Sequence, residues 1–169
     1  MAIILQCTRG LEYLHSRGLV VHRDIKSPNY MVTEDLHVKL GDLANSRPFS
    51  AVSVGAVEQD CHPVSLPWSA PELLEPNGLV DSMKADVYSL AMVMAEVTNG
   101  TIPFEQSNHP PIQRARLVQR IQRDRERPEL ARWTPMFLAE LIRDLWEQDP
   151  FRRPSARRAL ETLEANLIL

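Results

Sequence analysis

The stretch from Lys84 to Thr98 constrains this chain most, because Val87, Leu90, Ala91, Val93, Met94 and Val97 leave it apolar nearly all round. A helix of that kind cannot lie on a surface, so it has to run through the middle of a domain. Asn99 and Gly100 supply a stop directly after it. Such a helix needs others around it. Residues 2–16 offer one, with Ile4, Cys7, Leu11 and Leu14 at helical spacing. Gly10 within that segment costs roughly 1 kcal/mol against alanine, and Gly18 is placed to end it. Further helices are expected at 112–125, 135–147 and 155–167, the last two separated by Asp149-Pro150 and Arg153-Pro154. Residues 19–21 and 30–40 read as short extended segments, the second with Val38 and Leu40 alternating around Lys39. The expected fold is mainly α, in the α+β class, with a few short strands near its front.

A length of 169 residues, 44% of them hydrophobic and 24% charged, suits one soluble globular domain that buries a core without disulfide or metal staples. The net charge of −3 argues against a whole-protein affinity for nucleic acid or an anionic membrane. No run approaches the ~20 apolar residues that a membrane span requires. Ile3-Ile4-Leu5 has no basic residues before it, unlike a signal peptide. The two cysteines, Cys7 and Cys61, form no Cys-x-x-Cys pair, so neither a disulfide framework nor a zinc site is expected. A reducing, intracellular, cytoplasmic setting fits that usage. Residues 45–68, rich in serine and proline, read as a long exposed loop, and loops of that length are usually functional.

Chemistry concentrates in His22-Arg23-Asp24-Ile25-Lys26-Ser27-Pro28-Asn29. A carboxylate can take a proton, an ammonium can offset developing negative charge, and an amide oxygen is a hard ligand suited to magnesium. Thirteen residues after Asn29 stands Asp42, within Gly41-Asp42-Leu43-Ala44. Then follow Ser65-Leu66-Pro67-Trp68-Ser69-Ala70-Pro71-Glu72, Asp86-Val87-Tyr88-Ser89-Leu90, and Trp146…Asp149-Pro150…Arg153-Pro154-Ser155. In this order and spacing the motifs resemble the carboxy-terminal lobe of a eukaryotic protein kinase domain, over residues 2–167. Lys26, two places after Asp24, resembles the serine/threonine-specific loop. Ser27-Pro28 and Trp146 resemble the tyrosine-kinase-like group, which includes Raf-like and mixed-lineage enzymes.

That resemblance implies a catalytic loop at 22–29, a metal-binding turn at 41–44, an activation segment at 42–72 and a helical subdomain at 73–169. It implies ATP and Mg²⁺ as cofactors and transfer of the γ-phosphoryl group to serine or threonine of a protein substrate. Asp24 would be the base, Lys26 would steady charge on the γ-phosphate, Asn29 and Asp42 would hold Mg²⁺, and Met31 would touch the adenine. His22 is expected in the core rather than as a base. Arg23 would pair with a phosphate on Ser46, Ser50, Ser53 or Ser65. Asp86 opens the central helix, and Arg153 would form an ion pair with Glu72. Leu43, where the family carries phenylalanine, is expected to pack beneath the metal-binding turn. Ala44 in place of glycine disfavours φ > 0 there, which would restrict a flip of the turn.

A working kinase also has a glycine-rich loop and a strand lysine before its catalytic loop. Neither is found in the 21 residues that precede His22, so the chain reads as half a kinase domain, a fragment. Its expected partners are a protein substrate and an amino-terminal lobe, or another protein, covering the bared face. The alternative is a non-catalytic kinase-like lobe acting as an interaction module, which Leu43-Ala44 and the missing lysine favour. Arg116, Arg120, Arg123 and Arg127 repeat at helical spacing, but Asp124, Glu126 and Glu129 interleave with them. A solvated helix face is therefore expected there, and nucleic-acid binding has no support. Cys7 is expected in the core and Cys61 in the exposed loop.

Overall fold

The computed structural model of the chain describes residues 1–17, 19–49, 65–75, 80–105 and 113–167. It opens with α1 (Ala2–Ser16), which buries Ile4, Cys7, Thr8 and Leu11, and the Thr8 hydroxyl donates to the Ile4 carbonyl at 2.8 Å. Gly10 is explained by packing, because a Cβ there would stand 3.4 Å from the Leu40 Cβ. The helix gives up some intrinsic stability so that a strand can cross it closely. Arg17 caps α1, its N–H on the Tyr13 carbonyl at 2.9 Å, while Gly18 lies outside the described residues.

Two small antiparallel pairs follow. β1 (Val20–Val21) pairs with β4 (Arg47–Pro48), setting Val20 opposite Pro48. β2 (Tyr30–Val32) pairs with β3 (Val38–Leu40), setting Tyr30 opposite Leu40 and Met31 opposite Lys39. The extended segment expected over 30–40 is therefore a hairpin rather than one strand. Its reversal is held by Thr33: its N–H donates to the His37 carbonyl at 2.9 Å and its Oγ1 accepts the His37 N–H at 3.1 Å. Leu36 takes the left-handed position at φ 59, where glycine or asparagine would have marked the turn.

α2 (Ser82–Asn99) runs through the centre, with every side chain from Ala85 to Ala95 buried. Asp81 caps it by accepting the Lys84 N–H at 3.1 Å. Gly100 closes it at φ 71, its N–H on the Glu96 carbonyl at 2.8 Å. A Cβ at Gly100 would meet no atom within 4 Å, so Gly100→Ala tests the backbone alone. It is expected to cost about 1 kcal/mol, read as a lower denaturant midpoint at unchanged slope.

α3 (Arg114–Gln122) is shorter than the expected 112–125 and ends before Arg125, which sits at φ 52. Charge and aromatic contacts pull the chain off the helix. Arg120 pairs with Glu126 and lies 5.6 Å from the Phe104 ring centre, and that guanidinium holds the Glu126 carboxyl below its ordinary range. Arg127 stacks 5.0 Å from the Tyr88 ring and donates to the Trp146 carbonyl at 3.0 Å and Gln148 Oε1 at 2.7 Å. The expectation of one solvated arginine face thus holds for Arg116 and Arg123 but fails for Arg120 and Arg127, which brace the interior.

α4 (Met136–Leu145) packs on α2, and α5 (Ala156–Leu167) packs on α1 and α4. Leu90, Met94, Ile121, Ile142, Leu145 and Leu163 are fully buried between them. Cys7 belongs to this core, and burial pushes its thiol up to about 12. Cys61 lies outside the described residues. Among the described residues no helix is long and apolar enough to cross a membrane. The architecture is the mainly helical one expected, with strands among the described residues confined to the two short pairs.

Candidate active site

Asp86, buried near the start of α2, organises the loop that precedes the site. Its Oδ2 accepts the His22 N–H and its Oδ1 the Arg23 N–H, both at 2.8 Å, and His15 Nε2 lies 3.0 Å from Oδ2. Arg23 stands at φ 71, a conformation that costs a non-glycine residue on the order of 1–3 kcal/mol unless its surroundings hold it. The carboxylate does so by fixing two consecutive amides.

His22 is fully buried and joins two parts of the site. Its Nδ1 accepts the Asp24 N–H at 3.3 Å and its Nε2 lies 2.8 Å from the Gly41 carbonyl. Those partners set the tautomer, with the proton on Nε2 donated to Gly41. The Gly41 N–H in turn donates to the Asn29 carbonyl at 2.9 Å. A Cβ at Gly41 would stand 2.9 Å from Met31 Cε, the mobile end of an exposed side chain that can move aside. Asp42 follows at φ 56 and heads the short turn Leu43–Asn45. The left-handed residue of this turn is Asp42, and Ala44 sits inside the turn itself. Leu43 is 52% exposed; the expectation that it packs beneath the turn is wrong, since the turn leaves its side chain at the surface.

Asp24 sits in a triangle of polar groups. Lys26 Nζ donates to its Oδ2 at 2.6 Å, Ser65 Oγ to its Oδ1 at 3.0 Å, and Lys26 Nζ to Ser65 Oγ at 3.1 Å. Asn29 Nδ2 donates to the Asp24 carbonyl at 2.7 Å, so Oδ1 is the ligand atom that Asn29 offers. Asn29 Oδ1 and the Asp42 carboxylate are hard oxygen donors. That set fits Mg²⁺, which takes one or two protein oxygens and completes its shell with water and phosphate. Among the described residues no cluster of three or more His, Cys, Asp or Glu forms a cage built from protein alone.

Ser65, one of the phosphate acceptors the sequence offers, has its hydroxyl engaged with Asp24 and Lys26. Ser46 directs its hydroxyl at the His22 carbonyl at 3.4 Å, and Ser50 and Ser53 lie outside the described residues.

The far end of the segment is locked by Glu72 and Arg153. Arg153 Nη1 and Nη2 reach the two Glu72 oxygens at 2.7 and 2.8 Å, with Arg153 side-chain exposure of 0%. Arg153 also donates to the carbonyls of Glu147 at 2.8 Å and Lys84 at 2.9 Å, and its guanidinium lies 5.0 Å from the Tyr88 ring centre. Tyr88 thus has both Arg153 and Arg127 within 5.0 Å of its ring centre.

Comparison with known proteins agrees with this geometry. The family model described as the protein kinase domain matches residues 1–163. The chain is 32% identical to the serine/threonine/tyrosine-protein kinase HT1 of Arabidopsis thaliana, covering 97% of this chain and 39% of that protein. It is 34% identical to the probable serine/threonine-protein kinase drkD of Dictyostelium discoideum, over 94% of this chain and 11% of that protein. The same identity, 34%, relates it to a light-sensor protein kinase of Ceratodon purpureus, over 90% of this chain and 13% of that protein. The chain therefore spans well under half the length of these curated relatives. With a family match along nearly its whole length and a helical lobe that assembles the motifs expected of it, the chain belongs to the protein kinase family, tyrosine-kinase-like in type.

Proposed function

We propose that the chain supplies the catalytic loop and substrate side of a protein serine/threonine kinase. The observation that supports this most is Asp24 held between Lys26 and Ser65, because it gives a carboxylate a fixed direction toward an incoming hydroxyl. When bound, Mg-ATP supplies the phosphoryl group, and its metal offsets the charge on it. Asp24 orients the substrate hydroxyl and takes its proton on a carboxylate oxygen, which has lone pairs beyond those used by Lys26 and Ser65. Lys26 brings a positive charge to the place where negative charge collects. Asn29 Oδ1 and Asp42 would hold the metal, and Met31 would meet the adenine.

Met31, Val32, Leu36 and Leu43, on the hairpin and the adjoining turn, are apolar and each more than half exposed. An amino-terminal lobe covering such side chains is the second half of the proposal. A reducing intracellular compartment accords with it. A non-catalytic interaction module is the rival reading, favoured by Leu43-Ala44. It leaves unexplained why Lys26 and Ser65 converge on Asp24.

The natural full-length protein, incubated with Mg-ATP and a mixed protein substrate, separates the two. Phosphoserine or phosphothreonine in the substrate is the expected product. A folded full-length protein that transfers no phosphate under these conditions supports the rival.

A further inference from the structure

Glu96 lies in the last turn of α2 and bonds two segments far from it in sequence. Its Oε1 accepts the Ser27 hydroxyl at 2.7 Å and its Oε2 accepts the Trp68 indole N–H at 2.9 Å. Ser27 follows Lys26 and opens the short turn Ser27–Asn29, so that arm leads to both polar partners of Asp24 on the catalytic loop. Trp68 closes the turn Leu66–Trp68, and its own N–H donates to the Ser65 carbonyl at 3.0 Å. The second arm therefore leads to Ser65, the partner of Asp24 on the activation segment. The central helix grips Trp68 from the other side as well, with Ser89 Oγ donating to its carbonyl at 2.7 Å.

We propose that Glu96 is a positioning residue, which sets the distance between the catalytic loop and the substrate side of the site by holding Ser27 and Trp68 on separate carboxylate oxygens. The proposal rests on the kinase reading above for its effect on rate, but not for its mechanical part. Glu96 touches no reacting group; it acts through Lys26, Asn29 and Ser65. The polar partners it needs are two donors, and only one of them is fixed. An indole N–H can only donate, whereas a serine hydroxyl rotates and can accept. Glutamine at 96 can therefore keep both arms, its Oε1 toward Trp68 and its Nε2 toward Ser27. Alanine breaks both.

The test uses the full-length protein and its Glu96→Ala, Glu96→Gln and Ser27→Ala forms. Glu96→Ala is expected to lower kcat/KM for a peptide substrate by at least about tenfold, since displacements near 1 Å at a reacting site cost on the order of 100-fold. The KM for ATP should stay near its original value, and Glu96→Gln should restore most of the loss. Hydrogen exchange supplies the readout independent of activity: the amides of Trp68 and Ser69 should exchange faster in Glu96→Ala and at the original rate in Glu96→Gln. Full activity in a folded Glu96→Ala protein overturns the proposal. So does a Glu96→Gln protein as impaired as alanine, which would mean that the charge matters, as in a site for a basic substrate residue. If Glu96→Ala does not fold, Ser27→Ala, which frees only the catalytic-loop arm, decides by kcat/KM and by exchange of the Asn29 amide, now bonded to the Lys26 carbonyl, and no change in either overturns the proposal. Absence of transfer by the unmutated protein, with the exchange effect intact, refutes the kinase reading and leaves the bridge standing.

Discussion

Asp24→Asn in the full-length protein is expected to reduce kcat by a factor of about 10²–10⁴, the span that a positioned general base contributes. The substitution is nearly isosteric, and the asparagine can still meet both neighbours. Its oxygen can accept from Lys26 and its amide can donate to Ser65 Oγ, which now lie at 2.6 and 3.0 Å from the two carboxylate oxygens. The fold should survive, with a melting temperature close to the original. What is lost is the ability to take a proton from the substrate hydroxyl at that position. The KM for ATP should barely move, because Asn29 and Asp42 are untouched. Phosphate transfer that persists at the original rate in this variant would sink the assignment of Asp24 as the base. Steady-state kinetics on one peptide, with circular dichroism to verify folding, is sufficient to decide.

How much of this was readable beforehand differs by residue. The run His22–Asn29 was legible because the chemistry lies in consecutive residues, and the central helix was legible because burial on every side leaves no polar stripe. The pairing of Glu72 with Arg153 was also foreseeable, though only from the resemblance, since nothing local links two residues 81 apart. The hairpin within 30–40 was hidden because Leu36, not glycine or asparagine, occupies its left-handed position. Ser65 was hidden in a serine-rich stretch, and its hydroxyl reaches Asp24 across 41 residues. Nothing in the sequence singles out Glu96 within its helix. A carboxylate that serves two donors from elsewhere has no periodicity to betray it, and a tryptophan whose N–H needs an acceptor was the one available hint. The end of α3 was misplaced for a related reason. Arg120 and Arg127 are polar in sequence, yet ring faces and carbonyls draw them inward.

Arg153→Met is expected to be the most destabilising single change, at about 3–5 kcal/mol, the cost of leaving one member of a buried ion pair uncompensated. Arg153 is the costlier loss of the two. Removing the guanidinium abandons the Glu72 carboxylate, which is 7% exposed, and also strips the Glu147 and Lys84 carbonyls of a donor. Removing Glu72 leaves the guanidinium with those carbonyls and the Tyr88 ring face. Glu72→Met should therefore cost less, and the double variant should recover part of the loss, because two apolar side chains leave no orphaned charge. For a domain of this size the expected fall in melting temperature for Arg153→Met is roughly 10 °C. The pair also ties the turn Pro71–Leu74 to the body of the lobe, only a few residues beyond Trp68 and Ser65. Breaking it should loosen the substrate side of the site before the whole lobe melts, so transfer should fail at a temperature below the melting midpoint. Thermal scans and activity measured across the same range test both parts. A melting temperature lowered by less than roughly 2 °C would mean that neither the ion pair nor the other contacts of the Arg153 guanidinium hold that end of the segment.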